Sequence, residues 1–258
     1  MTICEHAWTP YAAPREPNGW GDEDRFGRCE RCGVVHTIRM VPPSTPIYND
    51  QGYFVEPNEV YFTKDLVPQN RRYMGSRLPP LLLGGFDLPH GSRRLLQIGP
   101  GTGQMTPTLT AWGWQVECCE VGEWSSRYLH EAYPTITVHR ADWTEWEPPY
   151  PYDAITGNHV LEHFVDAPAA LLKMVDSLSP GGKLYLELPA QLFDDGTSNE
   201  RAWPNGLHNH DHWWHFSERT LRMWFENLGL VNIGFANTIR EYEDNKLMDY
   251  HIVAVKPG

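Results

Sequence analysis

Basic residues are scarce in this sequence: 21 Lys and Arg stand against 33 Asp and Glu, a formal net charge of −12 with the twelve histidines neutral. A protein that grips nucleic acid does so mainly by replacing counterions with cationic side chains, so nucleic acid is not expected as the main partner. Long apolar runs are missing too. None approaches the length that spans a bilayer, and no basic-then-apolar signal opens the chain, so a cytoplasmic protein with no membrane partner is expected. Cysteine is sparse, with five in 258 residues; in that compartment they point to metal or free thiols before disulfides. Against these shortages, eleven tryptophans are many. The remaining composition, 41% hydrophobic and 21% charged, suits one full doubly wound domain with length left for a small accessory unit.

Three of the five cysteines lie early. Cys4-x-His6, a loop rich in Pro and Gly, and Cys29-x-x-Cys32-Gly33 make two ligand pairs with the spacing of a zinc knuckle or ribbon. Cys4, His6, Cys29 and Cys32 are the expected ligands, with His36 as a substitute for one; unliganded surface residues are the plain alternative. So short a segment has too little apolar content to hold itself, so the metal would supply folding energy and its role would be structural. Cys118 and Cys119 are adjacent in an expected strand, point to opposite faces and read as packing.

The most informative stretch is Leu95-Leu96-Gln97-Ile98-Gly99-Pro100-Gly101-Thr102-Gly103. An apolar run feeding three alternate glycines is how a buried parallel strand turns into a helix around a ligand. Glycine permits the turn and admits main-chain N–H groups where a Cβ would collide. Glu120, after a second apolar run, stands where a second strand delivers a carboxylate to a ribose diol. Ala141-Asp142-Trp143 and the stretch from Tyr152 to His159 supply two more polar strand ends, and together they outline a nucleoside pocket. A dinucleotide site is the competing reading. It asks for Gly or Ala three residues after the second glycine, where Gln104 stands.

Strands at 95–99, 114–120, 135–139, 152–157 and 183–189 are expected. Helices at 103–112, 123–132 and 166–178, and one after Ser217 that Gly229 closes, fall between or after them. Asp166 and Pro168 suit the start of the third helix, and Ser179-Pro180-Gly181-Gly182 its end. Such alternation means a parallel sheet with right-handed crossovers, and the runs 230–239 and 246–256 read as an antiparallel pair at its edge. The expected fold is therefore α/β: a doubly wound Rossmann-like sheet, mostly parallel, plus a small N-terminal zinc-binding segment. Residues 1–45 form that segment, 46–92 a linker and helical lid, and 93–258 the main domain.

With the glycine loop, Glu120, Asp142, Val160-Leu161-Glu162-His163 and Leu178-Ser179-Pro180-Gly181-Gly182 in this order, the chain from about 93 to 257 resembles the class I S-adenosylmethionine (SAM)-dependent methyltransferases. The likeness is to the small-molecule branch, which carries the Val-Leu-Glu-His motif. The resemblance implies that Gly99, Gly101 and Gly103 cradle the methionine part of SAM and that Glu120 holds the ribose hydroxyls. It puts Asp142, with Trp143 beside it, at the adenine, and Asn158 on the methyl-transfer side. Gln97 stands where the family usually has Asp or Glu; it keeps hydrogen-bonding capacity but loses the charge that favours the cofactor's ammonium group. The segment 190–216 would sit above the methyl group and shape specificity.

Two histidine clusters could carry the chemistry. Read alone, His159-Val160-Leu161-Glu162-His163 matches an inverted zinc-protease motif, with both histidines on one helical face. The ubiquinone-pathway O-methyltransferases, which this region resembles, imply instead a divalent metal near His159, Glu162 and His163. With histidine in place of the first carboxylate, that set suits zinc, iron or manganese better than magnesium. Simple capping and packing of the following helix is the plain reading. In the second cluster, His208 to Ser217, His212 or His215 could enter the pocket as a base while Trp213 and Trp214 stack on a ring. His159, His163, His212 and His215 are thus the candidate catalytic residues. The expected activity is SAM-dependent methyl transfer to an oxygen or carbon of a small ring-containing metabolite, a secondary metabolite or a sugar, with histidine-assisted deprotonation. An RNA- or protein-directed methyltransferase and a non-catalytic SAM-fold binding protein are the alternatives.

Overall fold

The computed structural model describes residues 3–11, 26–38, 77–87, 93–195, 197, 212–242 and 245–258. Among these, the expected α/β architecture is present. Four parallel pairings join β4 (Arg94–Ile98), β5 (Gln115–Glu120), β6 (Thr137–Arg140), β7 (Tyr152–Asn158) and β8 (Leu178–Pro189). Two antiparallel strands, β10 (Val231–Tyr242) and β11 (Asn245–Val255), extend the sheet beyond β8. The order is β10-β11-β8-β7-β4-β5-β6. β4 is the middle one of the five parallel strands, so the glycine turn leaves from between β5 and β7.

Helices cover both faces, which is why the central strands are almost wholly apolar. Period-two alternation sorts their side chains: Leu95 and Cys118 fall in one core cluster, Leu96 and Cys119 in the other. The adjacent cysteines thus pack on opposite faces, as their spacing implied. Helices α1 (Thr106–Ala111), α2 (Glu123–Ala132), α3 (Ala167–Asp176) and α4 (Glu218–Asn227) start where sequence chemistry allows. Asp166 accepts from the Ala169 N–H at 2.9 Å and Ser217 from the Thr220 N–H at 3.3 Å, satisfying donors the first turn leaves open.

Two elements differ from expectation. The run Ser179-Pro180-Gly181-Gly182 does not separate helix from strand; it lies inside β8. Tyr152 pairs with Leu178 and Ala154 with Lys183, so these residues form an excursion within the ladder, and Gly181 and Gly182 exchange hydrogen bonds with Lys256. Residues 161–163 form only a single 3-10 turn, and His159 just before it has a left-handed backbone, φ 50°. His159 and His163 therefore do not share a helical face, and the zinc-protease motif is ruled out by backbone geometry.

The N-terminal segment is joined to the main domain. β1 (Trp8–Tyr11), β2 (Phe26–Cys29) and β3 (Val35–Thr37) make an antiparallel sheet whose fourth strand, β9 (Trp214–His215), belongs to the end of the 190–216 segment. Ile3, Cys29, Cys32 and Val34 share a core cluster with Trp214, Phe216 and Trp224. Thr220 Oγ1 donates to the Cys32 carbonyl at 2.9 Å and Asn227 Nδ2 to that of Ile3 at 2.7 Å. Hydrophobic burial against α4 thus adds to whatever a metal contributes. Of the expected lid, residues 77–83 are helical and bury Leu81; most of 46–92 lies outside the described residues, as do His208, His210 and Asp211.

Candidate functional site

The cofactor end is built at the carboxyl tips of β4 and β5. Gly99, Gly101 and Gly103 all have left-handed backbones, φ 57°, 58° and 70°. At Gly103 a Cβ would lie 2.6 Å from Leu129 and 2.8 Å from Tyr133, so only glycine lets the loop settle on α2. Glu120, the last residue of β5, turns its carboxylate to this loop, accepting from the Gly101 N–H at 3.0 Å and the Gly122 N–H at 2.9 Å. Burial raises its pKa against the pull of those two amides. Gln97 is buried, and its Oε1 accepts from the Thr106 hydroxyl at 2.6 Å, so its carbonyl ties β4 to α1. Asp142 is exposed, with Oδ1 accepting from the Thr144 N–H and hydroxyl. Trp143 is placed in the core: 3% exposed, its indole N–H donates to the Ala170 carbonyl.

A second polar cluster lies at the tips of β7, β8 and β11. Asn158 Nδ2 donates to Glu187 Oε2 at 2.6 Å. Glu187, in the middle of the apolar end of β8, is fully buried and forms an ion pair with the equally buried Arg77 of the helical segment 77–83. Burial disfavours the Glu187 charge, yet Arg77 and His159 outweigh it and hold the carboxyl well below the usual range. His159 Nε2 lies 3.2 Å from Glu187 and 3.6 Å from Asp249 of β11, while its Nδ1 lies 3.5 Å from Glu162. Burial alone would discharge His159; these carboxylates prevail and bring its pKa to about 9. Such an imidazole is a cation that orders carboxylates, not a base poised near neutral pH.

The other candidate histidines divide. His215 is fully buried; its Nε2 lies 2.9 Å from Thr37 Oγ1 and its Nδ1 3.0 Å from Gln191 Oε1, a placement of support. His212 sits between Gln191, at 2.7 Å from Nδ1, and Glu162, at 4.0 Å from Nε2. Burial, with three histidines around it, pushes its pKa well down, so it is neutral. His163 Nε2 is 3.9 Å from Glu162. Trp214 is not a stacking platform: it is buried and its indole N–H donates to the Val165 carbonyl at 3.2 Å.

Cys4, His6, Cys29 and Cys32 converge, each giving one atom within 4.8 Å of the others. Cys4 and Cys29 sulfurs lie 3.8 Å apart and His6 Nδ1 is 3.7 Å from Cys32 Sγ. A tetrahedral zinc with bonds of about 2.3 Å to sulfur spaces its sulfurs about 3.8 Å apart, so the donor set fits that ion. Although burial opposes it, backbone N–H groups of Cys32, Ala7 and Arg31 and the His6 imidazole bring the Cys29 pKa down to about 6. His36 is not in this cluster; it packs on Trp214, ring centres 4.4 Å apart.

Sequence reasoning missed Arg77 as a site residue, and with it Glu187, Gln191 and Asp249. One signal was available. A glutamate at the inward position of Leu184-Tyr185-Leu186-Glu187-Leu188 has no place in a core unless it is paired.

A doubly wound sheet with a glycine turn at β4 and a carboxylate at the tip of β5 is an arrangement shared by nucleoside-binding α/β proteins, dinucleotide-binding and SAM-dependent alike. The chain belongs to the family described as Methyltransferase domain, which matches residues 69–234, and it is a SAM-dependent methyltransferase. Solved structures share the fold. Phosphoethanolamine N-methyltransferase 2 of Haemonchus contortus, in complex with phosphomonomethylethanolamine and S-adenosylhomocysteine, superposes with a TM-score of 0.55 at 14% identity over 78% of this chain and 60% of that one. YcgJ of Bacillus subtilis gives 0.54 at 14%, over 70% of this chain and 99% of its own. A chain from the complex of the Haloferax volcanii Trm112 methyltransferase activator with a methyltransferase gives 0.56 at 12%, over 74% and 95%.

Proposed function

We propose that the chain transfers the methyl group of SAM to an oxygen or carbon of a small ring-containing metabolite. The observation that carries the cofactor site is Glu120, a buried carboxylate that accepts from the Gly101 N–H of the glycine loop and from the Gly122 N–H beside it. Gly99, Gly101 and Gly103 cradle the methionine part, Glu120 takes the ribose diol, Asp142 the adenine amino group, and Asn158 faces the transferring methyl. SAM supplies an activated sulfonium methyl, so the chain's own task is to position the acceptor and manage its proton. The polar cluster beyond Asn158, with Glu162, Glu187, Asp249 and the imidazoles of His159, His163 and His212, supports an acceptor that must lose a proton, hence O- or C-methylation. The net charge of −12 speaks for a small neutral or cationic acceptor over a polyanion.

Cys4, His6, Cys29 and Cys32 hold a structural zinc in this reading. It closes the β2–β3 turn and fixes β3 beside β9. Calorimetric titration with SAM and S-adenosylhomocysteine tests the cofactor site: micromolar binding is expected, and absence of binding by both ligands sinks the reading. Screening hydroxylated and sugar-containing acceptors then tests the substrate class. For the zinc, Cys29→Ser should remove one ion per chain; unchanged metal content removes the assignment.

A further inference from the structure

A further buried carboxylate lies apart from both the glycine loop and the cluster around Glu187. Glu117 stands in the middle of β5, 8% exposed, on the face where Cys119 joins the apolar core. Valine or leucine would pack there at no electrostatic cost, whereas a buried carboxylate is costly until donors meet it. Three do. The Tyr150 hydroxyl donates to Oε1 at 2.5 Å, the Tyr152 hydroxyl to Oε2 at 3.1 Å, and His139 Nε2 lies 2.9 Å from Oε2. An ionised carboxylate only accepts, so His139 carries a proton on Nε2 in either charge state. The bond to Glu117 holds the Tyr150 phenol above its usual pKa, and the Arg94 guanidinium covers the Tyr150 ring at 4.0 Å. These donors come from β6, from β7 and from the turn before β7.

His139 carries the tie onward. Its ring lies against that of Trp146, with centres 4.6 Å apart and planes 31° from parallel. The Trp146 N–H in turn donates to the Asp142 carbonyl at 2.8 Å, and the Glu145 N–H to the same oxygen at 3.1 Å. Asp142 thus heads a tight turn whose far limb is Trp146. Asp142 Oδ1 is taken by the Thr144 N–H and hydroxyl, at 2.8 and 2.7 Å, which leaves Oδ2 for a ligand. On the near side, the Ala141 N–H donates to the Glu120 carbonyl at 3.1 Å. The Trp143 indole N–H and Lys173 Nζ tie the turn to α3, at 3.2 Å to the Ala170 carbonyl and 3.3 Å to that of Thr144. The turn is therefore seated on α3 through Trp143 and Lys173, and on Glu117 through Trp146 and His139. Asp142 itself is exposed, so its direction comes from these supports.

We propose that Glu117 and His139 are positioning residues for base recognition: they fix Trp146, and through it the Asp142 turn, so that the cofactor end reads the 6-amino group of adenine. That role rests on the assignment of Asp142 to the adenine. A carboxylate accepts usefully from a ligand N–H only within the narrow distance and angle of a hydrogen bond. Without support beneath Trp146, Asp142 would keep its charge and lose its aim. The ribose and methionine contacts would remain, so the loss falls on selectivity between bases more than on affinity.

Calorimetric titration of the full chain with S-adenosylhomocysteine and with its 6-oxo counterpart, S-inosylhomocysteine, tests this. The unaltered protein should prefer the 6-amino ligand about 3–10-fold, the scale of one exposed hydrogen bond. Asp142→Ala should abolish that preference. His139→Ala removes the ring beneath Trp146, and Glu117→Gln removes the charge that holds the ring with almost no change of shape. Each should reduce the preference to no more than about twofold. A purely structural role would weaken both ligands by the same factor and keep their ratio; a kept ratio overturns the proposal. If His139→Ala does not fold, the near-isosteric Glu117→Gln decides. Failure of the underlying reading looks different. Absence of binding by both ligands removes the cofactor site, and a preference that is missing from the unaltered protein or survives Asp142→Ala removes the assignment of Asp142, the positioning role falling with either.

Discussion

The two ends of the site are built in opposite ways. The proposed cofactor end draws its central contacts from residues 97–122, two neighbouring strands and the turns that follow them, and its hydrogen bonds link Glu120 to Gly101 and Gly122. The proposed acceptor end gathers Arg77, Asn158, Glu162, Glu187, His212 and Asp249 from five separate stretches of chain, with Thr37 of the N-terminal module behind them. A short-range site can be shaped by glycine and one carboxylate. A long-range site must compensate buried charge with partners delivered by different elements, so its chemistry and its stability cannot be separated.

That difference predicts how each end fails. Arg77→Met should have the largest effect, because it leaves Glu187 charged and buried without its main partner. We expect a loss of about 3–5 kcal/mol in urea unfolding, and a loss under about 1 kcal/mol would mean that the acceptor end is not held by this pair. His215→Ala strips Gln191 and Thr37 of a shared partner inside the core and should cost about 2–4 kcal/mol. If it lowers turnover while the unfolding midpoint stays put, His215 acts on substrate and the supporting role assigned to it fails. At the cofactor end, Glu120→Ala should raise the dissociation constant for SAM about 10–100-fold by calorimetry, the scale of one lost charged hydrogen-bond pair. Unaltered affinity there would break the assignment of the glycine loop. Asp142→Ala, at an exposed carboxylate, should weaken SAM less than about tenfold; an effect as large as that of Glu120 would show that the adenine, not the ribose, anchors the cofactor.

The same contrast explains what could be read in advance. Strand β4, the glycine turn, the caps at Asp166 and Ser217 and the antiparallel edge pair were legible because each rests on neighbours within a few residues. The convergence of Cys4, His6, Cys29 and Cys32 was legible from ligand spacing. Ser179 to Gly182 misled, since turn residues also serve an excursion within a strand when another segment, here Lys256, takes up their hydrogen bonds. The histidines misled more. His212, Trp213, Trp214 and His215 are consecutive polar and aromatic residues that look like a loop facing a ligand. Pairing of β9 with β3 covers both faces of this short strand, burying Trp214 on one side and His215 on the other.

By itself the sequence determined the class of fold, the glycine turn that ends β4 and the grouping of Cys4, His6, Cys29 and Cys32, because hydrophobic period, glycine backbone freedom and ligand spacing are local properties of a chain. Only the tertiary structure decided which histidines are buried and on what partners, that Arg77 and Glu187 meet, and that the N-terminal module reaches His212 and His215 through Thr37. The physical reason is that a buried polar group is defined by its partners, and here those partners come from segments as far as 188 positions apart.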